Sequence, residues 1–182
     1  NTNGDITTTA QVNNTAGISI LQWTGNGIAS QSIGHGLNKT PKFMIQKALD
    51  NSVTWQIFGS TIFDRMQFNA DGADTNLPCT FNSTTITLPN IAGNAEFNRN
   101  GDRFISLVFA EIEGYSKLSS YTGNGVTGEG TFVHCGFKPQ YLMVKSLSAS
   151  SDGWAVFDAS RDPYNGVQYY EFINNGFAEG SG

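Results

Sequence analysis

Short segments in which apolar residues alternate with polar ones, or fill both faces, follow one another along most of the chain. Alternation with a period of two is the pattern of a half-buried β-strand. Gly, Asn, Asp and Pro separate these segments, as in turn-rich proteins, and no stretch combines helical spacing with helix caps. The pattern predicts strands at Ile18–Trp23, Phe43–Lys47, Trp55–Phe58, Ile62–Phe68, Thr84–Leu88, Phe104–Glu113, Lys117–Tyr121, Thr131–His134, Tyr141–Ser146, Trp154–Phe157 and Gln168–Ile173.

The most apolar of these segments is Phe104–Glu113, whose apolar residues lie on both faces. That distribution is typical of a central strand in a sheet that is covered on both sides. A helix is the competing interpretation, but the β-branched and aromatic residues and the flanking Gly101 and Gly114 favour a strand. Many short strands separated by turns predict an all-β fold, similar to a β-sandwich or jelly roll.

The chain also contains an internal repeat, in which the same landmarks return in the same order. The matching runs are Trp23–Gly27 with Tyr121–Gly125, Pro41–Lys47 with Pro139–Lys145, and Trp55–Phe58 with Trp154–Phe157. A repeat of this length exceeds that of a solenoid unit. Each copy is therefore either a small β domain or half of a larger sandwich.

The repeat divides the chain into three parts: a polar arm or linker at 1–17, a first β unit at 18–115, and a second at 116–182. The second unit lacks a counterpart of the last strand of the first, Phe104–Ile112. Another chain could supply that strand, the N-terminal arm could supply it, or the sequence is a fragment. In the first case a neighbouring chain completes the sheet by strand addition.

Charge excludes several classes of function. Charged residues make up only 14% of the 182 residues, and the net charge is −5. Lys and Arg form no cluster, so the chain lacks the electrostatic surface for nucleic acid and is disfavoured at anionic membranes. No apolar run approaches the length of about 18 residues needed to span a bilayer.

The residues that could hold a metal are few. Cys79 and Cys135 are isolated, and they could pair in a disulfide, although isolated thiols are more often small core residues. His35 and His134 occupy nearly equivalent loop positions in the two copies. They could bind a metal or respond to pH, but capping of the local backbone is the favoured interpretation. The sequence predicts no cofactor and no metal site, with calcium as the one alternative.

Several longer motifs carry a resemblance to a known family. They are Gly34–Leu37, Phe109–Lys117, Tyr121–Gly125, Gly136–Pro139 and Trp154–Asn165. Together they resemble a domain of unknown function found in tail-fibre-like and other virion structural proteins of marine bacteriophages. The resemblance covers most of 18–177 and implies a virion or extracellular location, without an established enzymatic activity or catalytic residues. The chain departs from it in its short C-terminus and in Cys135.

The densest polar cluster follows a predicted strand. An Arg161 placed between Asp158 and Asp162 could fix the loop through bidentate ion pairs. The alternative is a loop that presents its carboxylates to a ligand or calcium. We favour the structural interpretation, because the arginine would compete with a cation for the acids.

Two further surfaces are candidates for ligands. Tyr164, Asn165, Gln168, Tyr169 and Tyr170 combine aromatic rings with amides, as in glycan-binding surfaces. Four other aromatic residues could also stack on sugars: Trp23, Trp55, Tyr121 and Trp154. Of these, Trp55 and Trp154 are predicted to lie in the core.

Glu111 and Glu113 would share a face of one strand at a separation of roughly 6–7 Å, near that of glycosidase carboxylates. A strand end that emerges into solvent is the favoured interpretation of this pair.

The sequence therefore predicts a non-enzymatic, tail-fibre-like component of a phage virion. It would assemble with identical chains, as a trimer or polymer, and adhere to a host surface through glycans. A purely structural protein that decorates a capsid or forms a filament is the first alternative. A glycan depolymerase is the second.

Overall fold

The computed structural model of the protein describes residues 1–68, 70, 75–126, 128–147, 153–163, 167–174 and 180–181. Every regular element in these ranges is a β-strand, which confirms the all-β prediction and is consistent with a sandwich. The strands are β1 (Thr9–Asn13), β2 (Ile18–Thr24), β3 (Ser32–Gly34), β4 (Phe43–Ala48), β5 (Gln56–Gly59), β6 (Arg65–Gln67), β7 (Thr80–Phe81), β8 (Thr85–Thr87), β9 (Arg103–Phe109), β10 (Tyr141–Val144), β11 (Ala155–Asp158), β12 (Tyr169–Phe172) and β13 (Gly180–Ser181).

The largest sheet is antiparallel and has the order β1-β2-β9-β4-β5-β6. β9 lies between β2 and β4 and pairs along its length with both, as its apolar sequence predicted for a central strand. β9 ends at Phe109 and not at Glu113. Beyond it the Ala110 N–H donates to Gly17 O at 2.8 Å, and the chain turns through Gly114, whose φ is +73°.

One face of this sheet packs on a smaller sheet of order β3-β8-β7. The alternating residues of β2 and β9 point into this core, and Ile33 and Ile86 of the small sheet close it. Trp23 and Phe104 stack inside it with ring centroids 4.4 Å apart. Burial of large apolar side chains on facing sheets is the main stabilising contribution in a sandwich.

The opposite face packs on a third sheet, of order β10-β11-β12-β13. Its anchor is Trp154, which is buried with Phe43, Ile57 and Met66 of the large sheet. The Trp154 indole N–H also donates to Gln67 O at 3.2 Å. The third sheet is therefore attached to the large sheet by an aromatic side chain that joins apolar packing to a hydrogen bond.

The first unit contains more regular structure than predicted. Residues 1–17 are not a detached linker, because β1 pairs with β2 at the edge of the large sheet. The Thr8 hydroxyl donates to Gly34 O at 2.8 Å, and Ile6 is buried. Because β1 is the outer neighbour of β2, the N-terminal arm does not complete the second unit.

Two predicted strands are wrong. Lys117–Tyr121 and Thr131–His134 lie in irregular and mostly exposed structure. Their alternation is real, but a strand also needs a neighbour with which to form a ladder. The predicted strand Ile62–Phe68 is shortened to β6.

The β4–β5 and β10–β11 hairpins have corresponding registers. Phe43 pairs with Gly59 in one hairpin, and Tyr141 pairs with Asp158 in the other. The matching backbone hydrogen bonds also recur: Ser60 N–H to Lys42 O and Ala159 N–H to Gln140 O, Phe68 N–H to Trp55 O and Ile173 N–H to Trp154 O. The two hairpins therefore share a register and a hydrogen-bond pattern, whereas the repeat of the whole unit stays a prediction.

Candidate functional site

The chain contains two aromatic-T-G-N-G turns, Trp23–Gly27 and Tyr121–Gly125. The candidate site lies in the second half of the chain, where the second of these turns and β10 are open to solvent. Within the turn, the Val126 N–H donates to Asn124 Oδ1 at 3.1 Å. The Ile28 N–H makes the matching bond to Asn26 Oδ1, also at 3.1 Å. Side-chain acceptors of this kind fix a turn locally, so the two turns share this local hydrogen bond.

A shallow groove runs along this turn and is lined by Tyr121, Asn124, Val126 and Thr131. Tyr121 is exposed, and the Thr131 hydroxyl donates to Thr122 O at 2.9 Å. Tyr141 and Leu142 of β10 are exposed as well. Sequence reasoning found Tyr121 as a candidate platform but did not identify β10 as an open edge.

The predicted ligand surface is only partly described. Tyr164 and Asn165 lie outside the described residues. Gln168 and Tyr169 are exposed, whereas Tyr170 is half-buried, with its ring centroid 5.7 Å from that of Phe157. Tyr170 therefore contributes to packing within the third sheet. Among the described tyrosines of this predicted surface, Tyr169 is the exposed one.

The described residues of the loop after β11 make polar contacts within the loop and with β12. Asp158 Oδ1 accepts the Ser160 N–H at 2.8 Å, and buried Asp162 accepts the Gln168 N–H at 2.8 Å. Arg161 donates to Glu171 Oε1 at 2.9 Å, a partner that the sequence did not suggest. These contacts support the structural interpretation of the loop. Across the described part of the chain, no three His, Cys, Asp or Glu residues come together as metal ligands.

Glu111 is an ion-pair centre at the junction between the predicted units. Its carboxylate lies 3.2 Å from Lys42 Nζ and 3.6 Å from Lys117 Nζ, and it accepts the Leu118 N–H at 2.8 Å. Burial raises the pKa of Glu111, but the Leu118 N–H and the two lysines lower it by more, so its net pKa lies below the ordinary value. Glu113 lies in the following turn and is exposed, so the two acids do not share a strand.

His35 is buried and serves as a local cap. Its Nδ1 accepts the Leu37 N–H at 3.1 Å, so the proton is on Nε2, which donates to Asn82 O at 3.1 Å. Burial lowers the pKa of His35, and the bond to Asn82 offsets part of that effect. His134 is exposed in the irregular segment, and the two histidines therefore lie in different environments.

The remaining candidates separate into core and surface residues. Trp23 and Trp154 are buried, whereas Trp55 lies at the surface, so its predicted core position is wrong. Trp55 precedes β5 and lies at the end of the ladder. Cys79 and Cys135 are both free thiols, and burial raises the pKa of Cys79 well above its ordinary value.

A buried polar row crosses the large sheet and was not predicted from the sequence. Gln46 pairs in register with both Ser106 and Gln56. The Gln46 amide donates to Glu96 O at 3.0 Å, and Gln56 Oε1 accepts from Arg65 at 2.6 Å. The only sign of this row in the sequence is that Gln46 and Gln56 are single amide residues within apolar strands.

The described part of the chain contains no helix that is both long enough and apolar enough to cross a membrane. A model of the family described as "domain of unknown function (DUF7483)" matches residues 1–180. The chain therefore belongs to this family, which has no assigned activity. Comparison with curated proteins and with solved structures found no match.

Proposed function

We propose that the protein is a non-enzymatic assembly module of a phage virion appendage and that it associates with identical chains. The observation that carries the proposal is a set of exposed large apolar side chains in the second half of the chain. Contiguous exposed apolar patches mark interaction surfaces, and we infer from the concentration of these residues in one half of the chain that they form such a surface. The set contains Tyr121, Val126, Phe132, Val133, Tyr141, Leu142, Tyr169 and Ile173.

The virion location is the part of the proposal that rests on the motif resemblance. The tail-fibre-like motifs imply an extracellular or virion setting. The low charge of the chain agrees with a role in protein contacts, since nucleic-acid binding depends on basic surfaces. A purely structural role in a capsid or filament would use the same association and differs only in lacking a receptor.

The ionisation state of Glu111 supports a non-enzymatic role over a depolymerase. A glycosidase needs one protonated carboxyl group as the general acid and a second carboxylate nearby. Two lysines and a backbone N–H hold Glu111 in its ionised form, and the pKa of this group is lowered. Such a group cannot serve as the acid near neutral pH.

Light scattering of the purified chain tests the association. We expect a trimer or a larger particle, whereas a particle of 19.6 kDa would contradict the proposal. Phe132→Ser removes the most exposed large apolar side chain among the described residues, at 87%, and should shift the equilibrium toward monomers. Ile20→Ser is the matched control, because Ile20 is an exposed residue of the first unit. Equal effects of the two substitutions would count against this surface.

Adhesion to a glycan is the second candidate function, favoured by the exposed ring of Tyr169 beside Gln168. Aromatic faces stack on pyranose rings, and amides bond to their hydroxyl groups. Binding to immobilised host glycans should decrease with Tyr169→Ala and remain with Tyr115→Ala, an exposed tyrosine elsewhere. Retention of full binding by the Tyr169 variant would remove this residue from the site.

A further inference from the structure

We infer that the second unit has a site for one additional antiparallel strand, between 117–122 and β10, and that its occupant is an extended segment resembling Asn98–Phe109. In the first unit, β9 fills the corresponding position between β2 and β4. In the described part of the second unit, β10 pairs with β11 alone. The inference does not depend on self-association of the chain.

Burial at matching positions shows what the additional strand would cover. Trp23 is 3% exposed, and its counterpart Tyr121 is 53% exposed. Met44 is fully buried, whereas its counterpart Leu142 is 49% exposed. Trp23 is covered by stacking on Phe104 of β9, and Met44 pairs in register with Val108 of the same strand. Tyr121 and Leu142 are therefore exposed at positions whose counterparts in the first unit are covered by β9.

The aromatic-T-G-N-G turn supplies an independent observation. In the first unit, the segment before β9 binds this turn: the Gly25 N–H donates to Asp102 O at 2.8 Å, and the Gly27 N–H donates to Asn98 O at 2.9 Å. A Cβ on Gly25 would collide with the Arg99 carbonyl oxygen, whereas one on Gly123 would have nothing within 4 Å. The second turn has the matching Asn124 hydrogen bond, but among the described residues no such neighbour lies against Gly123.

These contacts define the chemistry of the occupant. It needs an Asn and Gly turn that can exchange backbone hydrogen bonds with Gly123 and Gly125, followed by a strand of alternating apolar residues. By correspondence with the first unit, its first aromatic residue would stack on Tyr121. Its central apolar residue would lie between Leu118 and Met143, because Leu107 pairs with both Ile20 and Ile45.

A second copy of this chain is a poor donor of that strand. Its own β9 is central in the large sheet and carries Phe104 and Val108 in the core, so release of β9 would dismantle that core. The occupant we assign is therefore a separate extended segment with the same residue pattern as Asn98–Phe109. Within 117–122, the Leu118 N–H is already bonded to Glu111. The backbone of 119–122 is therefore the part that can pair with the added strand.

The probe is a synthetic peptide with the sequence Asn98–Phe109, extended by two lysines for solubility, added to the full chain. Amide exchange at Tyr141–Val144 and at 119–122 should slow by about tenfold at ten times Kd, because bound amides exchange only when the peptide dissociates. The same peptide with Leu107→Pro is the control, since proline interrupts the ladder. Tyr121→Ala in the chain should weaken binding about tenfold, the effect of losing an aromatic contact of roughly 1.4 kcal/mol, whereas Tyr115→Ala should not.

Failure of the peptide to slow exchange at these amides, or equal protection by the proline peptide, would overturn the inference. Slowing that depends on protein concentration without peptide would mean that a second copy covers the edge, which would overturn the assigned occupant. Light scattering separates this inference from the proposed function. A monomer that accepts the peptide would retain the strand site and contradict only self-association.

Discussion

Trp23 and Phe104 face each other across the β2–β9 ladder and stack with their ring planes inclined by 12°. Both side chains are buried in the core between the large sheet and the β3-β8-β7 sheet. The Trp23 indole N–H also lies 3.4 Å from the Ser106 hydroxyl. This pair joins the first T-G-N-G turn to the central strand. Tyr121, the counterpart of Trp23 in the second turn, has no such stacking partner in the described structure.

Trp23→Ala should lower the free energy of unfolding by about 3–5 kcal/mol, because it leaves a cavity opposite Phe104. Tyr121→Ala should change it by no more than about 0.5 kcal/mol, because Tyr121 is exposed. Urea denaturation of both variants measures the difference. Similar losses in the two variants would mean that Tyr121 is covered in solution.

Trp154→Ala should weaken the attachment of the β10-β11-β12-β13 sheet. The substitution removes a buried side chain from the second core and should lower the free energy of unfolding by about 3–5 kcal/mol. Amide exchange should accelerate most in β10 and β11, while β2 and β9 keep their protection. Trp154→Phe keeps most of the packing and loses the bond to Gln67 O, so its loss should be about 1 kcal/mol. Uniform acceleration across all strands would instead indicate a single cooperative unit.

His35 should make stability depend on pH in the mildly acidic range. The pKa of His35 is lowered in the folded state by burial, and its ordinary value is about 6.5. Its contribution is therefore complete above about pH 6.5 and is lost as the pH falls through the folded-state pKa. Chemical denaturation should give a lower free energy of unfolding at pH 5 than at pH 7.

His35→Asn keeps an acceptor near the Leu37 N–H and removes the titrating group. This variant should be less stable at pH 7 by about 1–3 kcal/mol but should vary less between pH 7 and pH 5. His134→Asn is the matched control at an exposed position. An unchanged pH dependence in the His35 variant would assign the effect to another group.

Glu111→Gln tests the ion-pair centre. The variant keeps an acceptor for the Leu118 N–H but loses the attraction to Lys42 and Lys117, so its free energy of unfolding should fall by about 1 kcal/mol at low salt. Because the folded-state pKa of Glu111 is lowered, its contribution is present above about pH 4.3 and is lost as the pH falls through the folded value. The wild-type chain should thus lose more stability than the variant on acidification below that pH. Parallel acid profiles would contradict this assignment.

The sequence predicted the longer strands of the first unit because their apolar alternation coincides with real ladders. It missed β1, β3, β7 and β13, since short or polar strands depend on neighbours that are distant in sequence. Lys117–Tyr121 shows the reverse case: it has a strand pattern but no adjacent strand in the described structure. Periodicity indicates which face of a strand can be buried, but it does not indicate whether a neighbouring strand is present to pair with it.

The sequence identified some residues of the candidate site, but it did not predict how they are arranged. Tyr121 and Tyr169 could be selected as aromatic side chains near turns and amides. The contacts of Arg161 with Glu171 and of Glu111 with two lysines could not be predicted, because they join residues from separate elements. The sequence also did not show that β10 pairs with β11 on one side only, so that its outer edge has no partner among the described residues.

The buried polar row of Gln46, Gln56 and Ser106 fixes the strand register of the large sheet. A shift of β4 by two residues along β9 would place the Gln46 amide opposite Phe104 or Val108 in place of Ser106. The shifted amide would also leave the Glu96 and Phe97 carbonyl oxygens that it now bonds, and a buried amide without partners costs about 1–3 kcal/mol. Apolar side chains alone tolerate such slippage more readily. The amides therefore select one pairing of the central strands from several of similar hydrophobicity.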